Sequence, residues 1–149
     1  MSPSDEYVEP ASSMPKLPIA AAVVALVGLA DSVYLTVKHI TAEPVPCSII
    51  SGCETVLTST YAEMAGIPLA AFGAAAYFAA FALALLAAFG NRSAWLGFGL
   101  LSVAMAGFSA WLLYLQAFVI EAFCQFCLLS ALTSLAMFII AVFSRFWRR

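Results

Sequence analysis

Cys124-Gln125-Phe126-Cys127-Leu128-Leu129-Ser130-Ala131-Leu132 joins a C-x-x-C to a run of apolar residues that continues to about residue 146 and meets no charge before Arg145. Crossing the ~30 Å hydrocarbon layer of a bilayer takes roughly 20 such residues, so this stretch is long enough to span. Working outward from it, three further stretches qualify, at about 17–38, 68–89 and 95–117. With 64% apolar and only 9% charged residues in 149, the chain has too little polar surface to coat a soluble globule. Lipid offers no partners to unpaired backbone groups, so all four spans are expected to be helices. The expected fold is an all-α integral membrane protein, a four-transmembrane-helix bundle. Residues 1–16 read as a mobile cytoplasmic tail, 17–146 as the membrane domain and 147–149 as a basic cytoplasmic C-terminus.

Charge fixes the expected orientation. Four spans place the N-terminus, the 90–94 turn and the C-terminus on one side, and that side carries Lys16, Arg92, Arg145, Arg148 and Arg149. Lys38 alone remains opposite, among Glu43, Glu54, Glu63 and Glu121. The positive-inside rule makes the basic side cytoplasmic, which suits the inner (plasma) membrane and puts every cysteine outside, where disulfides persist. Val27-Gly28-Leu29-Ala30 offers a small-residue cleavage site, but the acidic leader (Asp5, Glu6, Glu9) and continuing apolar character through Val37 argue against a cleaved signal peptide.

Between the first two spans, residues 41–66 are amphipathic. Pro44 and Pro46 keep the approach to Cys47 extended, and Ser51-Gly52 signals a turn before Cys53. Val56, Leu57, Tyr61 and Met64 recur at mostly helical spacing, which predicts a short extracytoplasmic surface helix over 53–64, capping the mouth of the bundle. Gly66-Ile67-Pro68 then turns the chain into the second span, with Pro68 expected in the helix's first turn. Gly73, Ala74, Ala75, Gly97, Gly99, Ala104 and Gly107 in spans two and three let helices approach closely.

The chemistry lies in the cysteines. In a C-x-x-C at a helix start the two sulfurs share one face, and the helix N-terminus favours a thiolate, the form that attacks disulfides. Cys47 and Cys53, with five residues between them, form a second pair on the same side, able to close a labile or a purely structural disulfide. Leu128 after Cys127 excludes covalent haem attachment, and no His or Asp supports a zinc site on the four cysteines. Nucleotide and nucleic-acid motifs are absent from the sequence. Two dithiols beside an apolar bundle suggest a relay of electron pairs between a dithiol outside and a lipid-soluble carrier.

The order of these features resembles the vitamin K epoxide reductase family in its bacterial branch. The resemblance rests on a loop cysteine pair after the first span, on Cys53-Glu54-Thr55-Val56-Leu57-Thr58-Ser59, on Gly66-Ile67-Pro68 and on a C-x-x-C heading the fourth helix. The other four-helix family of quinone-linked thiol oxidases, that of the bacterial disulfide bond protein B, carries its C-x-x-C in the first outer loop. The resemblance implies that Cys124 and Cys127 are the active-site pair, with Cys127 beside a quinone (ubiquinone or menaquinone) and Cys124 reached by the loop. It implies that Cys47 and Cys53 shuttle electrons and that Ser59 lies near the quinone, although a helix serine can equally bond its own backbone. Many bacterial members carry a fused thioredoxin-like domain that this sequence lacks, so the expected redox partner is a separate thioredoxin-like protein. Ala131 stands where the vertebrate branch has a tyrosine, so substrate-binding details of that branch do not transfer.

Three residues complete the reading. Asp31, a carboxylate inside the first span, is expected to be a structural hydrogen-bond partner before a proton donor. His39 is expected at the interface and Glu121 on an exposed rim, while Trp95, Trp111, Tyr114, Trp147, Tyr34 and Tyr61 read mostly as an aromatic belt. The expected function is a quinone-linked thiol oxidoreductase that reoxidises its partner and so drives disulfide formation in exported proteins. A thiol-driven quinone or vitamin K epoxide reductase and a non-enzymatic tetraspan protein with structural disulfides are the alternatives.

Overall fold

A computed structural model describes residues 16–49 and 51–147; of the tail expected over 1–16, residues 1–15 lie outside the described residues, as do the last two arginines, and Lys16 already belongs to the first helix. Among the described residues, four helices are long and apolar enough to cross a membrane. Helix α1 covers Lys16–Ile40, α3 Leu69–Ala88, α4 Arg92–Tyr114 and α5 Gln125–Trp147, with the short α2 at Cys53–Leu57 between the first two. Helix α4 runs on as a π-helical turn over Leu115–Ile120, so the third span reaches three residues beyond its expected end.

Each boundary has a local cause. The first span ends in a Schellman motif: Ala42 adopts φ 53°, its N–H donates to the His39 carbonyl, and the Glu43 N–H donates to that of Lys38. Lys38 and His39 in the last turn complement the helix dipole. Gly90, at φ 98°, closes α3 in the same way, with Gly90 and Asn91 N–H groups bonding the Ala87 and Leu86 carbonyls. The next residue starts α4: the Asn91 side chain accepts the Ala94 N–H at 3.1 Å. Pro68 is the N-cap of α3, at φ −61° and ψ 137°, one position before the first turn where it was expected.

The four spans close a ring in which α1 packs on α3, α3 on α4, α4 on α5 and α5 back on α1. One end of its core is built of Ala21, Ala22, Ala25, Ala80 and Ala84 around Tyr77, Phe98 and Met137. Gly28 is the tightest point: a methyl group there would overlap the Tyr77 ring. The Tyr77 hydroxyl donates to the Ser130 carbonyl at 2.6 Å and lies within 3.0 Å of the hydroxyls of Ser130, Thr133 and Ser134, which ties α3 to α5 inside the bundle. Trp95, expected in the aromatic belt, instead stacks on Phe98 and donates to the Ser144 hydroxyl at 3.0 Å. Large apolar side chains such as Val23, Leu100, Leu132 and Ile139 point outward, as lipid requires.

The outer segment differs from the single surface helix read from the sequence. Helix α2 stops at Leu57, a 3₁₀ turn follows at Thr60–Ala62, and two antiparallel two-residue strands, β1 at Glu63–Met64 and β2 at Ile67–Pro68, lead into α3. The break comes from the hairpin: Ala65 and Gly66, at φ 54° and 81°, form its two-residue turn, the left-handed pairing that matches strand twist.

Candidate active site

Cys47 and Cys53 are joined by a disulfide, with 6.1 Å between their Cα atoms. Two polar contacts and one close approach hold their loop over the C-x-x-C. The Val45 N–H donates to the Glu54 carboxylate at 2.7 Å, and the Ile49 N–H donates to the side-chain oxygen of Gln125, inside the C-x-x-C, at 3.0 Å. Gly52 lies so near the Phe123 backbone that a methyl group would overlap its carbonyl oxygen. The result places Cys53 and Cys124 in one buried cluster with Leu35, Val45 and Val56, and Cys47 and Cys127 against its edges.

Cys124 is the N-cap of α5: its carbonyl accepts the Leu128 N–H at 3.0 Å. Its own N–H donates to the Gln116 side-chain oxygen at 3.2 Å, a contact supplied by the π-helical turn that ends α4. The thiol is fully buried and is held below the ordinary thiol range, at about 7. A hydrogen bond from the Cys127 thiol is the main cause, opposed by burial and helped by the N–H groups of Cys127 and Phe126. Those two N–H groups are among the unpaired donors of the helix start, so the sulfur acts as the helix cap.

The two sulfurs have different surroundings. Cys127 lines a cavity of about 1130 Å³ that runs beneath the outer segment and down between the spans, and Cys124 does not. Ser59, Ser130, Ser134 and Tyr77 lie on the same cavity wall, with apolar Leu35, Met105 and Phe108 around them. Ser59 therefore faces the same space as Cys127, while its hydroxyl donates to the Val56 carbonyl at 2.7 Å. The proton is thus committed to the backbone, and the oxygen lone pairs remain open to the cavity. At the outer rim, His39 and Glu63 pair at 2.6 Å and Lys38 and Glu43 at 2.8 Å, which fastens the end of α1 to the segment that covers the cavity. Lys38 holds the Glu43 carboxyl below its usual range.

Matched by the model described as the vitamin K epoxide reductase family are residues 19–142, most of the chain, with the second and third spans whole and the first and fourth short only of their terminal turns. The chain belongs to the vitamin K epoxide reductase family. One relative, the thiol-disulfide oxidoreductase LTO1 of Arabidopsis thaliana, is 33% identical over 125 residues, which make up 75% of this chain and 32% of that protein. The chain thus spans about a third of the length of this relative. Family membership agrees with the helical membrane bundle.

The sequence pointed to all four cysteines and to Ser59, and the fold brings the five to one end of the bundle. It did not point to Gln116, Gln125 or Gly52. Glutamines at the end of one apolar run and the start of the next carry a weak signal, since a polar amide there is ordinarily solvated. Asp31 departs from its expected role: it is buried, and neither carboxylate oxygen has a hydrogen-bond partner among the described residues.

Proposed function

We propose that this chain is a membrane thiol oxidoreductase in which Cys47 and Cys53 accept an electron pair from a separate thioredoxin-like protein and pass it through Cys124 and Cys127 to a membrane quinone. The observation that carries this reading is the split environment of the C-x-x-C. Cys124 shares a buried cluster with Cys53, and Cys127 opens on the cavity. Each sulfur thus has one neighbour to exchange with.

The steps follow from that placement. A partner thiolate attacks Cys47, the exposed-side member of the loop disulfide, and Cys53 leaves as a thiolate. The partner's second thiol then resolves the mixed disulfide, leaving the partner oxidised and the loop a dithiol. Cys53 attacks Cys124 in the oxidised C-x-x-C, and Cys127 leaves into the cavity. Cys47 attacks Cys53, restoring the loop disulfide and releasing Cys124, whose helix-cap position stabilises the departing thiolate. This last state, loop pair closed and C-x-x-C open, matches the pairing in the structure.

A quinone in the cavity would supply a two-electron, two-proton acceptor without metal chemistry. The lining fits: the apolar wall of Leu35, Met105 and Phe108 suits a ring and tail, Cys127 lies alongside, and the Ser59 oxygen can accept from a hydroquinone hydroxyl. Oxidised partner would then introduce disulfides into exported proteins. The five basic residues at Lys16, Arg92, Arg145, Arg148 and Arg149 support cytoplasmic termini in the inner (plasma) membrane, with the cysteines on the extracytoplasmic side.

The test is quinone reduction by the purified chain, with a reduced thioredoxin-like protein as donor and ubiquinone and menaquinone analogues as acceptors. Loss of the quinone absorbance in step with oxidation of the donor is expected, and should vanish in Cys127→Ala. Donor that stays reduced while thiols and quinone are both present would overturn the reading. So would net reduction of a quinone epoxide with no activity on the quinone, which is the outcome for a reductase.

A further inference from the structure

Asp31 is a buried carboxyl that the relay above does not use. It is only 7% exposed, both its oxygens lack a hydrogen-bond partner among the described residues, and it belongs to a span of low-dielectric surroundings. Its position relative to the cysteines follows from helix geometry. Tyr34 on α1 packs against Phe126 of the C-x-x-C with ring centroids 5.3 Å apart, and Leu35 shares the buried cluster of Cys53 and Cys124. Asp31 precedes these two by three and four residues, so it lies on the same face of α1, one turn deeper, directly beneath the C-x-x-C. Its carboxyl is within Coulombic reach of both Cys124 and Cys127.

The other ionisable groups around this point are engaged elsewhere. On α3, the Tyr77 hydroxyl is bonded to oxygens of α5; on α1, Lys38 lies two turns above and pairs with Glu43; in the outer segment, Glu54 accepts the Val45 N–H. Among the described residues no ion pair offsets a negative charge on Asp31. A carboxylate and a thiolate this close, away from water, oppose one another strongly, and one of them holds a proton whenever the other is charged.

We propose that Asp31 is the proton partner of the C-x-x-C: it gains a proton when the Cys124–Cys127 disulfide is reduced and releases it when the disulfide re-forms. Reduction then reads as disulfide plus two electrons plus two protons, giving a Cys124 thiolate, a Cys127 thiol and an Asp31 carboxylic acid. The electrons come from the loop dithiol, one proton goes to the Cys127 sulfur and the second to Asp31. Charge inside the bundle changes by the same amount as it would for two neutral thiols, while Cys124 keeps its reactive thiolate. Asp31 is a positioning residue in this scheme, acting on the cysteines through charge.

The inference rests on the reading of Cys124 and Cys127 as a redox pair and is independent of the acceptor, so it is tested without quinone or partner. The full chain carrying Cys47→Ala and Cys53→Ala is equilibrated with dithiol–disulfide buffers between pH 7.5 and 9, and the fraction of reduced C-x-x-C is read by mass-tag alkylation. Once the buffer's own potential at each pH is accounted for, two protons per electron pair change the half-cell equilibrium of the C-x-x-C a hundredfold per pH unit, about 60 mV, whereas one proton changes it tenfold, about 30 mV. The steeper dependence is expected with Asp31 present and in Asp31→Glu, and the shallower one in Asp31→Asn. A slope of about 30 mV in the chain that retains Asp31 overturns the proposal with no need of a variant, as do equal slopes with and without the carboxylate. A C-x-x-C that forms no disulfide at any potential would instead remove the redox reading itself.

Discussion

Replacing Gly52 by alanine isolates the contact that sets the loop pair against the C-x-x-C. Gly52 has φ −93° and ψ 4°, which any residue adopts, so the effect of the added methyl is steric and not conformational. That methyl would overlap the Phe123 carbonyl oxygen and crowd the Phe123 nitrogen and the Ala122 side chain. Two of these three neighbours are backbone, which cannot rotate aside, so the loop must lift. Overpacking of this kind costs about 1–3 kcal/mol, and each ~1.4 kcal/mol is tenfold in the population of the seated loop. A displacement of about 1 Å between reacting groups carries a comparable rate penalty, near a hundredfold. Quinone reduction driven by a thioredoxin-like donor should therefore fall ~10- to 100-fold in Gly52→Ala. Reduction driven by a small dithiol entering through the cavity to Cys127 should stay within about twofold of the parent. A variant whose donor-driven rate is unchanged would show that Cys53 and Cys124 do not rely on this seating, and equal losses with both donors would point to general unfolding.

Three further outcomes check the same picture. Tyr77→Phe removes a hydroxyl shared by four α5 oxygens and leaves Ser134 without its interhelical partner; unfolding in detergent should show a loss of about 1–2 kcal/mol, and no loss would mean the serines re-pair among themselves. Cys127→Ala should trap Cys53 bonded to Cys124, seen as a cross-linked peptide by mass spectrometry; a partner protein bonded to Cys124 instead would reverse the assigned order. In the reduced protein, the ultraviolet absorbance of the Cys124 thiolate, taken as the difference from Cys124→Ala, should rise as pH increases through about 7, because this thiol is held below the ordinary value of ~8.5; a rise beginning only above pH 8 would remove the helix-cap and Cys127 hydrogen-bond argument.

The parts of this molecule that were legible in its sequence are those written in long runs or in fixed spacings. Four apolar stretches gave the four spans to within a few residues at most ends, and the C-x-x-C with its companion pair marked the end of the bundle where the cysteines gather. Closure of α3 by Gly90 followed by Asn91 is likewise a short-range signal. What could not be read depends on partners far apart in the chain. The Ile49 contact with Gln125 spans 76 residues, and the Tyr77 hydroxyl meets oxygens more than 50 residues on. The surface segment failed as a single helix because spacing of four apolar residues does not separate a helix from a turn followed by a hairpin. Asp31 was visible as an anomaly, yet only the packing of Tyr34 on Phe126 shows what it lies beneath.

The loop disulfide closes over a separation of six residues, and Cys124 is made 71 residues after Cys53. At synthesis rates of roughly 5–20 residues per second, the first two thiols exist for about 4–14 s before the next cysteine of the chain is made. During that interval they have no rival within their own polypeptide. Correct pairing at the outer end is thus favoured by order of birth: the local bridge can be sealed while the final helix is still being threaded, and the later thiols arrive to find their neighbours already joined.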